Sequence, residues 1–344
     1  MKRFLALALA LILVCSLAAC AGKQTTEQPA QAAAEQPAAA ETATNDAAQD
    51  TPAEDAAPAE TMQITVSIAS FDNTFASFVM SRMKIFNESH PELEITYLDA
   101  ANDAATQITQ IEQAVLNGTQ AVICLAVDAK QAQPIVTACN DANVPLIAFN
   151  RVFEGCDTFV GADNAVAGRI VAERCGEILG GKGNIALVQG VMGQANTYER
   201  TDAIVATLEE KYPDVKIVLD GAADWKRDKA LELVETWLQS GTEFDAVIAL
   251  NDDAALGAQQ ALAAAGKTDV PVLSINGDPS GINGVNDGLL DCTAFQAPFT
   301  QADKALEIAM EYIQGGTPTD SFRVEYELIT ADNVADYMQF TSVS

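Results

Sequence analysis

The chain has 344 residues, 49% of them apolar, and 48 acidic against 19 basic side chains give a formal net charge of −29. Such an acidic balance argues against nucleic acid as a partner, because phosphate binding needs a basic face that releases counterions. The length allows two lobes, each with a core of its own.

The N-terminus carries an export pattern. Lys2 and Arg3 form a charged start, Phe4 to Leu17 an apolar run too short for a span, and Leu17-Ala18-Ala19-Cys20 closes it. This closing sequence resembles the lipobox of bacterial lipoproteins, which implies a signal peptide over residues 1–19, cleavage before Cys20 and a diacylglyceryl anchor on that thiol. Acyl chains of this kind hold a protein to a membrane and leave its body in water. Residues 20–61 then read as a disordered linker. They are built almost entirely of Ala, Gln, Glu, Thr, Pro and Asp with no aromatic residue, and Pro29, Pro37, Pro52 and Pro58 interrupt any helix.

From Met62 short β-rich runs alternate with helical patterns. Ile64 to Ile68 precedes a helix from Phe75 to Asn87. Leu93 to Leu98 precedes one from Thr106 to Leu116, Ala121 to Ala126 one ending near Ala142, and Pro145 to Phe149 and Thr158 to Val160 follow. The same rhythm restarts with strands at Ile185 to Val188, Val215 to Leu219, Ala246 to Leu250 and Val272 to Ile275. Near-continuous apolar strands between helices indicate parallel sheets covered on both faces, here two α/β, doubly wound lobes.

Ligands of open α/β sheets bind beyond the carboxyl ends of the strands. At those ends stand Asn150, Asn251, Asn276 and Gln296, with Asn73 closing the loop after the first strand. Each amide offers donors and an acceptor suited to neighbouring hydroxyls; each could equally cap a following helix. Five cysteines of the body, Cys124, Cys139, Cys156, Cys175 and Cys292, are odd in number and irregular in spacing, so they read as buried free thiols with room for one adventitious bridge. They suggest neither a zinc site nor redox chemistry. His90, the single histidine, reads as exposed surface, and Gly180-Gly181-Lys182-Gly183 reads as a helix-ending turn.

A set of collinear segments carries a family resemblance: Phe71-Asp72-Asn73-Thr74-Phe75, Val144 to Arg151, Tyr198-Glu199-Arg200, Ala223-Asp224-Trp225, Leu250-Asn251-Asp252-Asp253 with Leu256-Gly257-Ala258, and Gly288 to Gln296. With them, Ile64 to Thr330 resembles the sugar-binding proteins of bacterial ABC importers, of the galactose/glucose- and ribose-binding type with the type I periplasmic-binding-protein fold. The resemblance implies two lobes joined by three hinge crossings near residues 162, 297 and 326. The lobes then comprise 62–162 plus 297–325 and 163–296 plus 326–344.

It also implies that Phe75 and Trp225 sandwich a sugar ring and that Asn73, Asn150, Asn196, Asn251, Asn276 and Gln296 bond its hydroxyls. Arg151 and Arg200 would add forked donors, with Gln194 at the border. Aromatic faces suit the C–H faces of a pyranose, and planar amides and guanidinium groups suit its hydroxyl rim. Trp237, in a Leu231, Val234, Leu238 stripe, reads as core.

Relatives of this type commonly place aspartate where Asn73, Asn150, Asn196 and Asn276 stand. Two arginines without acids imply either a ligand that supplies negative charge, such as a sugar acid, or a counter-ion among Asp72, Asp224, Asp252 and Asp278. No Asp-rich loop of the kind that binds calcium in galactose-binding relatives is present, and neither metal nor cofactor is expected.

The implied function is an exported, lipid-anchored, monomeric substrate-binding protein. It would close on a monosaccharide and hand it to an ABC permease at the outer face of the cell membrane. A sensor presenting ligand to a chemoreceptor or kinase would use the same pocket. No nucleophile with a base, carboxylate pair or metal cluster emerges, so an enzyme is not expected.

Overall fold

The structure, a computed structural model, describes residues 61–342. The signal peptide, Cys20 and nearly all of the expected linker lie outside the described residues.

In chain order the elements are β1 (Met62–Ile68), α1 (Thr74–Glu88), β2 (Leu93–Asp99), α2 (Ala104–Leu116), β3 (Ala121–Cys124), α3 (Gln133–Ala142), β4 (Leu146–Phe149) and β5 (Thr158–Ala162). There follow α4 (Asn164–Ile178), β6 (Lys182–Gln189), α5 (Ala195–Lys211), β7 (Asp214–Ala222), α6 (Arg227–Ser240), β8 (Ala246–Ala249), α7 (Asp252–Ala264), β9 (Val272–Asn276), α8 (Pro279–Asn286) and β10 (Cys292–Phe295). The chain ends with α9 (Pro298–Ile313), β11 (Ser321–Val324) and β12 (Glu327–Thr330).

Two six-stranded sheets result, ordered β11-β5-β4-β3-β1-β2 and β12-β10-β9-β8-β6-β7. Every pairing is parallel except β10 with β12, so the expectation of parallel sheets needs one correction at an edge. An edge strand can reverse direction because it satisfies only one neighbour and can enter through a short connection.

Both sheets are buried on both faces, and the pleat sorts each strand's residues between two cores. On β3, Ala121 and Ile123 join the apolar cluster under α1 and α9, whereas Val122 and Cys124 join the one under α3. On β8, Val247 and Ala249 pack against α6 and α7, and Ala246 and Ile248 against α4 and α5.

Local signals start and stop the helices. Asn73, Asp103, Asp163 and Asp278 each accept a backbone N–H at a helix start, and α6 ends at Gly241 with φ 75°. The chain passes from one sheet to the other three times: between β5 and α4, between β10 and α9, and between β11 and β12. Each sheet has a topological switch where the order reverses about its first strand, β1 or β6, so loops leaving the carboxyl ends of neighbouring strands diverge and open a crevice.

The five cysteines of the body are free; four are buried, and Cys156 is half-buried. His90 is half-buried rather than exposed: it stacks on Phe86 with centroids 4.0 Å apart, and its Nδ1 lies 2.8 Å from the Phe86 carbonyl.

Candidate functional site

The crevices of the two lobes face each other across a narrow chamber. Asn73, Phe75, Asn150 and Arg151 line it from the first lobe; Asn196, Arg200, Trp225, Asn251, Asn276 and Gln296 line it from the second or from the crossing after β10. Sequence reading named all ten. Leu125, beyond β3, completes the wall and was missed because a single apolar residue after an apolar strand carries no distinguishing signal. Gln194 does not line the chamber; it stands behind Trp225, whose indole Nε1–H donates to Gln194 Oε1 at 2.7 Å.

Asn73 Oδ1 caps α1 by accepting from Ala76 N at 3.0 Å, and the residue also borders the chamber. Asn251 precedes α7 without capping it; its Nδ2 donates to the Trp225 carbonyl at 3.1 Å. Phe75 belongs both to the core beneath α1 and to the chamber wall.

Several of these residues hold backbone conformations that side chains disfavour. Asn150 has φ 60°, Trp225 64° and Asn276 126°. For a bulky residue such as tryptophan this is an outlier, and such strain concentrates at functional sites. Trp225 is braced by Gln194 and Asn251, and its ring lies against Gly190 at the end of β6. A Cβ there would come within 2.0 Å of the indole.

Asn196 and Arg200 stand one turn apart on one face of α5. The guanidinium of Arg200 is 2% exposed and donates to Asn164 Oδ1 (2.9 Å), the Leu250 carbonyl (2.6 Å), Asn276 Oδ1 (3.1 Å) and the Tyr326 hydroxyl (3.2 Å). Gln296 donates to Asn276 Oδ1 at 2.9 Å and accepts from Asn150 at 3.1 Å and from the Tyr326 hydroxyl at 3.2 Å. Asn164, Gln296 and Tyr326 stand at the three crossings between the sheets. One network therefore ties the chamber to every connection about which the lobes could turn. Asn164 and Tyr326 were not anticipated; their partners lie too far away in sequence for a local pattern to reveal.

Across the chamber Arg151 donates from Nη1 to the Ala126 carbonyl at 2.7 Å. Burial and the neighbouring Arg200 push its guanidinium down to about 10, which still leaves it charged at neutral pH. None of the four acids considered as counter-ions bonds either arginine, although Asp72 and Asp224 line an adjoining pocket together with Arg151. Asp72 pairs with Lys226, and Asp224 with Lys229. Asp252 accepts from Ser274, Thr293 and the Asp278 backbone, and Asp278 caps α8.

Six buried side-chain polar atoms among the described residues have no partner, and three of them, Arg151 Nε, Asn196 Oδ1 and Asn251 Oδ1, belong to the chamber wall. An unpaired buried polar atom costs about 1–3 kcal/mol, so their clustering here marks a surface prepared for hydroxyls or other polar groups. The wall carries no hydroxyl or thiol nucleophile. Among the described residues no group of three or more His, Cys, Asp or Glu is placed to hold a metal ion. A roomier groove between β2 and α2, lined by residues such as Thr96, Thr106 and Gln110, presents neither an aromatic face nor a cation. What the wall offers chemically is two aromatic side chains and a rim of amide and guanidinium donors and acceptors, groups that suit a polyhydroxylated ligand.

Comparisons with known proteins agree with this geometry. A family model described as a periplasmic binding protein domain matches residues 64–317. A xylitol-binding protein of Mycolicibacterium smegmatis is 35% identical over 246 residues, covering 70% of each chain. A putative rhizopine-binding protein of Rhizobium meliloti is 30% identical over 291 residues, 82% of this chain and 94% of the relative. Among solved structures, an ABC transporter solute binding protein from Bacillus halodurans with bound myo-inositol superposes with a TM-score of 0.78 at 34% identity, covering 82% of this chain and 98% of that one.

Proposed function

This chain belongs to the periplasmic binding protein domain family, and on that premise we propose that it captures a monosaccharide or small polyol between its lobes and delivers it to an ABC permease. The observation that carries the reading is the chamber itself, walled by both lobes and holding three unpartnered polar atoms. Relatives that bind xylitol and myo-inositol support a ligand of this size and polarity.

In this reading Phe75 and Trp225 cover the apolar faces of the ring, the amides and Arg151 bond its rim, and Arg200 holds the second lobe's wall in place. Only the closed arrangement offers a ligand both walls, so binding favours closure, which the permease then senses. The protein captures and releases its solute unchanged. Cys20 anchors it outside the membrane, and the linker lets the body reach the permease while keeping its effective concentration there high.

Thermal melts of the purified protein against monosaccharides, polyols and sugar acids test the capture reading. A true ligand at about a hundred times its Kd adds roughly 2.7 kcal/mol to folding stability and raises the melting temperature. A panel that leaves it unmoved contradicts the proposal, as does chemical turnover of any member. Replacement of Cys20 by Ser should release the protein from membranes; retention of the variant contradicts the anchor.

A further inference from the structure

We infer that the natural ligand carries a carboxylate, as an aldonic or uronic acid does, and that this group docks on the Nε/Nη2 edge of Arg151; the inference rests on the capture reading above. Two guanidinium groups, 7% and 2% exposed, share one chamber, and the eleven residues of its wall include no acid. Buried charge without a partner is costly, and a protein that carries 48 acidic side chains has placed none of them in this wall.

The nearby carboxylates bond other groups: Asp72 and Asp224, which line an adjoining pocket with Arg151, pair with Lys226 and Lys229. Asp253 is held by Arg227 and by Thr74 from the opposite lobe, and exposed Glu199 accepts from Asn164 rather than from Arg200. Asp252 and Asp278 bond each other's surroundings behind β9.

The two arginines are also unequal. Arg200 uses Nε and both terminal nitrogens on neutral protein acceptors. Arg151 uses only Nη1; its Nε is buried and unpartnered, and among the described residues no acceptor bonds its Nη2. The Nε and Nη2 hydrogens form the parallel fork that a carboxylate fits with two bonds. One open fork points to a single carboxylate, on a ring or chain whose remaining hydroxyls meet Asn196 and Asn251.

Calorimetric titration with matched sets, each comprising a neutral sugar or polyol, its carboxylic acid and its phosphate ester, tests this. The acid should bind at least about tenfold more tightly than its neutral counterpart, the range of a charge-assisted pair over a neutral bond, and Arg151→Gln should abolish the difference. Asn276→Asp is a second variant, because its Oδ1 keeps the bonds to Arg200 and Gln296. It places a carboxylate beside the arginines and should shift preference back toward the neutral compound. Equal or tighter binding of the neutral compounds overturns the inference and leaves the capture reading standing, and binding of the phosphate esters alone does the same. Failure of every compound in the sets contradicts both.

Discussion

Trp225 shows how a single side chain is given a function by its surroundings. Its backbone sits at φ 64°, its indole is clasped by Gln194, and the missing side chain of Gly190 makes room for the ring. If the ring forms one face of the binding chamber, Trp225→Ala should weaken ligand affinity by at least about thirtyfold, matching the ~2 kcal/mol typical of a well-packed anchor. Gly190→Ala should do much the same by displacing the ring. Trp237, on α6, packs in the core and does not line the chamber; Trp237→Phe should leave affinity within about twofold. Titration calorimetry distinguishes these outcomes, and equal losses at both tryptophans would remove Trp225 from the site. The sequence made Trp225 visible as a partner but hid Gln194's part, because a brace is defined by a contact 31 residues away.

At the scale of elements, the apolar strands were readable because two-sided burial leaves them almost free of polar residues. The last two strands were not. β11 and β12 are four residues each, half-exposed, and carry Arg323 and Glu327, so only their edge positions beside β5 and β10 make them strands. The connection between them carries Tyr326, whose hydroxyl links Arg200 to Gln296. Tyr326→Phe leaves one buried guanidinium hydrogen unpaired and should lower unfolding free energy by about 1–3 kcal/mol, measurable by urea denaturation; no loss would mean the network does not brace the crossings.

Asp252 stands first in α7, where an acid suits the positive end of a helix. It is also fully buried against Gly281, where a Cβ would come within 2.2 Å of its carboxyl carbon. Burial, with Asp278 beside it, holds its carboxyl well above the ordinary 3.8. The folded protein therefore keeps a proton that the unfolded chain has already lost. The contribution of this group to stability is full below the ordinary value and declines as pH rises through the raised one. Melting curves between about pH 4 and about pH 8 should show a shallower decline for Asp252→Asn than for the parent. Parallel curves would mean that Asp252 is ionised in the folded state.

For the whole molecule, two sheets with the same order about β1 and β6 face each other across three crossings; the two α/β lobes were legible from the alternation of strands and helices, whereas the crossings were implied only by the family resemblance. What could not be read is how the lobes meet. Thr74 bonds Asp253 across the cleft, Asp72 approaches Lys226 to 3.8 Å at its mouth, and Asn150 reaches Gln296. The exposed ion pair adds little, so the two hydrogen bonds carry most of what these contacts contribute to the closed arrangement. The unpartnered atoms of the chamber would oppose closure until a ligand satisfies them.

Small-angle X-ray scattering, recorded with and without a ligand whose binding calorimetry has established, tests this most directly. The account predicts a larger radius of gyration for the free protein, and with ligand bound a curve that matches the closed lobes described above. An unchanged curve at full occupancy would contradict capture by closure.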